Sequence, residues 1–105
     1  MDLTSKEDLA VAGRLSRMIQ CETVSYKELD KNDFGCFDDF KVLLSELYPE
    51  IHKVCERSFH GRTGILFRWA GKSNRDVTVL MSHYDVVPCN DSLWTKPPFS
   101  GEIDD

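Results

Sequence analysis

Five consecutive residues, Val77-Thr78-Val79-Leu80-Met81, constrain the architecture more than any other feature of the chain. They form a nearly continuous apolar run, broken only by Thr78, which is the pattern of a β-strand buried on both faces. Such a strand requires a covering layer on each side of its sheet. The remaining chain offers little cover. It has 105 residues, 41% of them hydrophobic and 30% charged, so it amounts to one ordinary domain at most.

The periodicity upstream reads as helix, helix, strand, strand. Thr4 followed by Glu7 has the spacing of a capping box. Val11, Ala12, Leu15, Met18 and Ile19 then recur at helical intervals, predicting an amphipathic helix over 5–21. The polar stretch from Cys21 to Gly35 reads as a connection. Phe37, Phe40, Leu43, Leu44, Leu47 and Tyr48 make a second stripe, which Pro49 is expected to end, since its ring blocks the preceding turn. Beyond Ile51 the period falls to two, with Val54, Glu56 and Ser58 against Cys55, Arg57 and Phe59, and His60 to Gly64 as the turn. Ile65 to Ala70 is the second strand, presenting Ile65, Phe67 and Trp69 on one face. Phe37, Phe40, Tyr48, Phe67 and Trp69 are therefore expected in the core. The reading is an α/β class of two helices followed by a mixed sheet, antiparallel at its start.

Charge and targeting signals exclude several function classes. Thirteen Lys and Arg against 18 Asp and Glu give a net charge of −5, with no basic cluster to meet phosphates, so nucleic acid is not an expected partner. No apolar run approaches the roughly 20 residues that span a bilayer, and Met1 to Lys6 lacks the start of a secretory signal, so the expected location is cytoplasmic, away from membranes. Cys21, Cys36, Cys55 and Cys89 form no C-x-x-C pair and are expected to be reduced. The Asn90-Asp91-Ser92 glycosylation pattern then has no bearing.

The chemistry concentrates in Ser82-His83-Tyr84-Asp85-Val86-Val87-Pro88, directly after the buried run. Ligands of open α/β sheets bind beyond the carboxyl ends of strands, the position His83 would hold. In extended backbone, residues i and i+2 point the same way, so His83 and Asp85 share a face within hydrogen-bond reach. A metal-bound His commonly gives its second ring N–H to a carboxylate, which fixes the tautomer. A structural His closing a loop would have the same spacing. Other candidates are weaker. Gly71-Lys72-Ser73 lacks the upstream Gly of a phosphate loop, because Leu66 stands there, and a strand rather than a helix follows. His52 and His60 have no partner at ligand spacing and read as surface or turn residues. Cys89 could meet a metal but reads as an inert loop thiol.

The run into Ser-His-Tyr-Asp-Val-Val-Pro, the later Trp94-Thr95-Lys96-Pro97-Pro98-Phe99-Ser100-Gly101 and the Thr23-Val24-Ser25 turn resemble a known family. It is the dinuclear-zinc peptidase and amidohydrolase family of carboxypeptidase S, acetylornithine deacetylase, succinyl-diaminopimelate desuccinylase and aminoacylase. The resemblance covers nearly the whole chain but only the N-terminal part of the family's catalytic domain, so residues 1–105 would be an incomplete zinc-peptidase domain. It implies His83 as a ligand of one Zn2+ and Asp85 as the catalytic-site carboxylate orienting it. Trp94, Pro97, Pro98 and Phe99 would pack nearby. The bridging carboxylate, the general base and the other ligands of the two-zinc site would follow later. Glu102, Asp104 and Asp105 receive no ligand role and read as a solvated turn. The activity implied is cleavage of the amide of N-acyl amino acids or short peptides, by a water activated between two zinc ions. Any homodimer contact would use parts absent from this chain. The rival readings are a small non-catalytic α/β interaction module and a non-functional truncated gene product.

Overall fold

The computed structural model describes residues 5–104. Helix α1 spans Lys6–Ile19 and starts on Ser5, whose hydroxyl accepts from the Asp8 N–H at 3.0 Å and donates to the Asp8 carboxylate at 2.8 Å. The capping pair is thus Ser5 with Asp8, one register beyond the expected Thr4 with Glu7. Both pairs have the same spacing, and Thr4 lies outside the described residues. No residue of α1 is fully buried; Leu15 is 53% exposed and Ile19 40%.

Helix α2, Phe34–Leu47, is capped by Asp33, whose carboxylate accepts from the Gly35 N–H at 2.9 Å. Pro49 ends α2 as expected but also opens a third helix, α3, Pro49–Val54. The proline ring forbids continuation, yet its fixed φ and missing N–H suit the first position of a new helix. Tyr48, at φ −131° and ψ 63°, makes the break between them. A hairpin follows, β1 Glu56–His60 and β2 Gly64–Arg68, antiparallel in register from Glu56 opposite Arg68 to His60 opposite Gly64. Gly61 takes φ +60° in its turn, a conformation that strains other residues.

The α/β class and the antiparallel start of the sheet therefore hold, with three α-helices among the described residues in place of two. Among the described residues, parallel pairing is confined to one isolated bridge, Val24 with Val86. The core is small and sits under α2. Phe37 and Phe40 are its buried apolar side chains, 1% and 7% exposed. Tyr84 packs between them, edge-on to Phe37 at 5.6 Å and stacked on Phe40 at 4.7 Å. The hairpin docks on the same helix through Arg62, which donates to both oxygens of Asp38 at 2.9 and 2.7 Å and lies 5.2 Å above Phe34. Lys41 also donates to the Arg62 carbonyl at 2.9 Å.

Several expected core positions are corrected. Tyr48 and Phe67 are half-buried, and Trp69 is 78% exposed, because β2 ends at Arg68 before its alternation reaches Trp69. The Val77–Met81 run forms no strand. Val77, Val79, Leu80 and Met81 are 78–92% exposed, and no described element pairs with or covers them. Apolar content marks a segment for burial but cannot supply the neighbours that bury it. His83 consequently follows an irregular segment and not a strand end. The radius of gyration, 16.3 Å, exceeds the about 13 Å of a compact chain of this length.

The late loop holds a single 3-10 turn, Asp91–Leu93, and then returns to α1. Gln20 donates to the Ser100 carbonyl at 3.3 Å and the Ser16 hydroxyl donates to the Gly101 carbonyl. Gly101 has φ +66°, and a Cβ there would lie 2.5 Å from the Ser16 carbonyl oxygen, so only glycine fits. Lys96 pairs with Glu102 and Asp104 at 3.0 and 2.9 Å, which ties the acidic stretch down more than a solvated turn would be.

With so few buried apolar groups, Phe37→Ala should cost about 3 kcal/mol and lower the urea midpoint by about 1.5 M, measured by circular dichroism. The uncovered run predicts concentration-dependent association of the purified chain in light scattering, which Leu80→Glu should reduce.

Candidate functional site

The segment carrying His83 and Asp85 is held by what lies between them. Tyr84 turns its ring into the core and its hydroxyl donates to the Thr63 carbonyl. Its backbone carbonyl accepts from the Thr23 hydroxyl at 2.7 Å, and Thr23 is only 2% exposed. Two positions on, the Val86 N–H donates to the Thr23 carbonyl and the Ser25 N–H to the Val86 carbonyl, both at 2.9 Å. The turn behind α1 and the His83 segment are thereby laid side by side.

With Tyr84 pointing inward, its two neighbours point outward. His83 Nδ1 and Asp85 Oδ1 are 3.1 Å apart, with the His83 side chain 86% exposed and that of Asp85 40%. The i, i+2 geometry read from the sequence is therefore present. Nδ1 is engaged by Asp85 and the opposite ring nitrogen, Nε2, faces solvent on a largely exposed ring. The nearby Ser25 hydroxyl first, and His83 second, hold the Asp85 carboxyl below the usual carboxylate range. Burial, and then the charges of Asp85 and Asp38, push the Tyr84 phenol up, so it stays a neutral hydrogen-bond donor.

These residues fit one ligand and its orienting carboxylate, and no more. Among the described residues no group of three His, Cys, Asp or Glu side chains is arranged to hold a metal ion. His52, expected at the surface, is instead half-buried. Its Nδ1 bonds the Tyr48 carbonyl at 2.8 Å and its ring meets the edge of Phe67. His60 ends β1, exposed, with Nε2 2.8 Å from the Ser58 hydroxyl. All four cysteines are free thiols. Cys89 and Cys36 line a cavity of about 270 Å3 together with Val24, Tyr26, Asp33 and Phe99, but neither His83 nor Asp85 does. Of the late loop, Pro98 and Phe99 are half-buried and Trp94 is 56% exposed. The residues that sequence reasoning passed over as functional are Thr23 and Ser25. Their signal was present as a short polar turn behind an amphipathic helix, but nothing local tells which distant segment it meets.

A carboxyl held low contributes stability that is complete above its unfolded pKa and is lost as pH falls through the folded one. The Asp85 carboxyl carbon should accordingly titrate, in 13C spectra, with a midpoint below the ordinary 3.8, and His83→Ala should move that midpoint upward.

No family profile matches the chain, and no solved structure matches it significantly. Curated sequences do. The protein named "Probable carboxypeptidase S-like 1" of Dictyostelium discoideum is 35% identical over 103 residues, covering 96% of this chain and 21% of the relative. Carboxypeptidase S of Saccharomyces cerevisiae is 32% identical, covering 96% of this chain and 18% of its own length. Succinyl-diaminopimelate desuccinylase of Dechloromonas aromatica is 33% identical, covering 85% and 21%. Also, no helix among the described residues is long and apolar enough to cross a membrane. With matches that run almost from end to end, the chain belongs to the peptidase and deacylase family of carboxypeptidase S and succinyl-diaminopimelate desuccinylase, and spans about a fifth of the length of these relatives.

Proposed function

We propose that the complete protein is a zinc-dependent hydrolase that cleaves the amide bond of N-acyl amino acids or short peptides, and that these 105 residues contribute one metal ligand to it. His83 is that ligand, through Nε2, and Asp85 is the carboxylate that holds the ring by Nδ1. The observation that carries this reading is the 3.1 Å contact between His83 and Asp85 on an open face, in a chain of this family. A ligand histidine needs one nitrogen unprotonated and aimed outward, and a carboxylate on the other nitrogen keeps the proton there. Zinc, when bound, would supply Lewis-acid polarisation of the amide carbonyl and an acidified water.

The work of this chain's own residues is orientation. The Tyr84 ring in the core and the Thr23 hydroxyl on its carbonyl fix the backbone between ligand and carboxylate. A catalytic zinc commonly takes three protein ligands, and a second metal needs more. The other ligands and the general base therefore belong, in this proposal, to parts of the protein beyond the residues described. The 105-residue chain alone is accordingly inactive, and the protein acts in the cytoplasm on small-molecule or peptide substrates.

The test has two arms. The 105-residue chain supplied with zinc should give no turnover of N-acyl amino acids, and robust turnover would overturn the assignment of one ligand. In the complete protein, His83→Ala should abolish hydrolysis together with one equivalent of tightly bound zinc, measured by metal analysis. Asp85→Ala should weaken zinc binding by about 10–100-fold. Full zinc content in His83→Ala would refute the ligand role.

A further inference from the structure

Cys36 and Cys89 stand 53 positions apart in sequence and line the same cavity, of about 270 Å3, between the start of α2 and the late loop. Cys36 is half-buried in the first turn of α2, with its Sγ 3.5 Å from Asp33 Oδ2, and Asp33 lines the cavity as well. Cys89 is exposed on the loop side, next to Pro88. Cys21 and Cys55 lie outside this cavity. The Val24–Val86 bridge fixes one end of the loop, three residues before Cys89, and the Ser100 and Gly101 carbonyls fix the other end on α1. Between those ends, from Val87 to Phe99, no hydrogen bond or ion pair among the described residues ties the loop to the helices or the hairpin.

A disulfide needs its two Cα atoms within about 7 Å. A loop hydrogen-bonded only at its ends has the freedom to carry Cys89 across the cavity, with about 10 Å of extended chain between it and the Val86 anchor. We propose that Cys36 and Cys89 are a redox pair, joined by a reversible disulfide that closes the cavity and pins the late loop to the start of α2 when a small-molecule disulfide such as oxidised glutathione accumulates. Exposed Cys89 is the point of entry. Its thiolate attacks one sulfur of oxidised glutathione and expels one glutathione thiolate. The Cys36 thiolate then attacks the Cys89 sulfur of the mixed disulfide and expels the second glutathione. Two protein thiols are oxidised, one glutathione disulfide is reduced to two thiols, and the two protons pass from the cysteines to the glutathiones. Excess reduced glutathione reverses both steps. Chain statistics alone would choose another pair, because closure of an unfolded chain favours Cys21 with Cys36, 15 positions apart, by about sevenfold over a span of 53. The proposal is independent of the ligand role of His83.

The experiment equilibrates the dilute 105-residue chain with a mixture of oxidised and reduced glutathione at about pH 8, near the ordinary thiol pKa, then quenches with acid and maps the disulfides by mass spectrometry without reduction. In the folded chain the Cys36–Cys89 linkage should exceed Cys21–Cys36 by roughly tenfold, the gain in effective concentration that a shared cavity gives. In concentrated urea the order should reverse, toward the sevenfold excess that chain closure sets. Cys36→Ser should stop the reaction at the Cys89–glutathione adduct, and Cys89→Ser should leave Cys36 reduced. If circular dichroism shows that either variant has unfolded, the comparison of folded and urea-treated unmodified chain decides. Linkage should also slow hydrogen exchange of the Cys89 and Leu93 amides relative to the reduced chain. Pairings in the folded chain that match those in urea overturn the proposal. So does a Cys89–glutathione adduct that persists in the unmodified chain while Cys36 stays reduced, or a disulfide formed mainly between two chains. Unchanged exchange in the linked chain overturns the pinning of the loop.

Discussion

The anchoring of one tyrosine ring organises most of what this chain does. Tyr84 sits against Phe37 and Phe40, gives its hydroxyl to the Thr63 carbonyl and receives the Thr23 hydroxyl on its own carbonyl. Three parts of the chain, the turn behind α1, helix α2 and the hairpin turn, thus meet on a single residue. Because side chains alternate along the backbone, driving that ring inward forces His83 and Asp85 outward together. A burial preference worth a few kcal/mol for an aromatic ring therefore sets the direction of two polar groups that could not orient themselves at 86% and 40% exposure.

The site and the core are consequently built by the same contacts, but different atoms serve each. Backbone groups of Thr23, Ser25 and Val86 join the segments, aromatic rings bury area, and the hydroxyls and carboxylate are left to define orientation. The chain itself is about one-third identical to relatives named as carboxypeptidases and a desuccinylase.

The parts of the fold legible in the sequence were those governed by near neighbours. The stripe of α2 placed Phe37 and Phe40 in the core, the change to a period of two gave the hairpin, and the spacing of His83 and Asp85 gave their contact. The parts that were not legible depend on distant residues or on a residue with two uses. Pro49 stops one helix and starts another by the same chemistry, so a stop signal concealed α3. Val77–Met81 has strand composition, but a strand exists only with a partner, and none of the described elements supplies one. The alliance of Thr23 with Tyr84 spans 61 positions and has no local trace.

The clasp of Gly101 on Ser16 has a kinetic consequence. It joins residues 85 positions apart, so it closes the largest loop described, and such contacts return energy only after the chain entropy of closure has been lost. Helix α2 and the hairpin can form early from contacts of short separation. The late loop must then wait for α1 to be in place before its glycine finds the carbonyl it fits against, making that seam the last to close during folding and the first to open under stress.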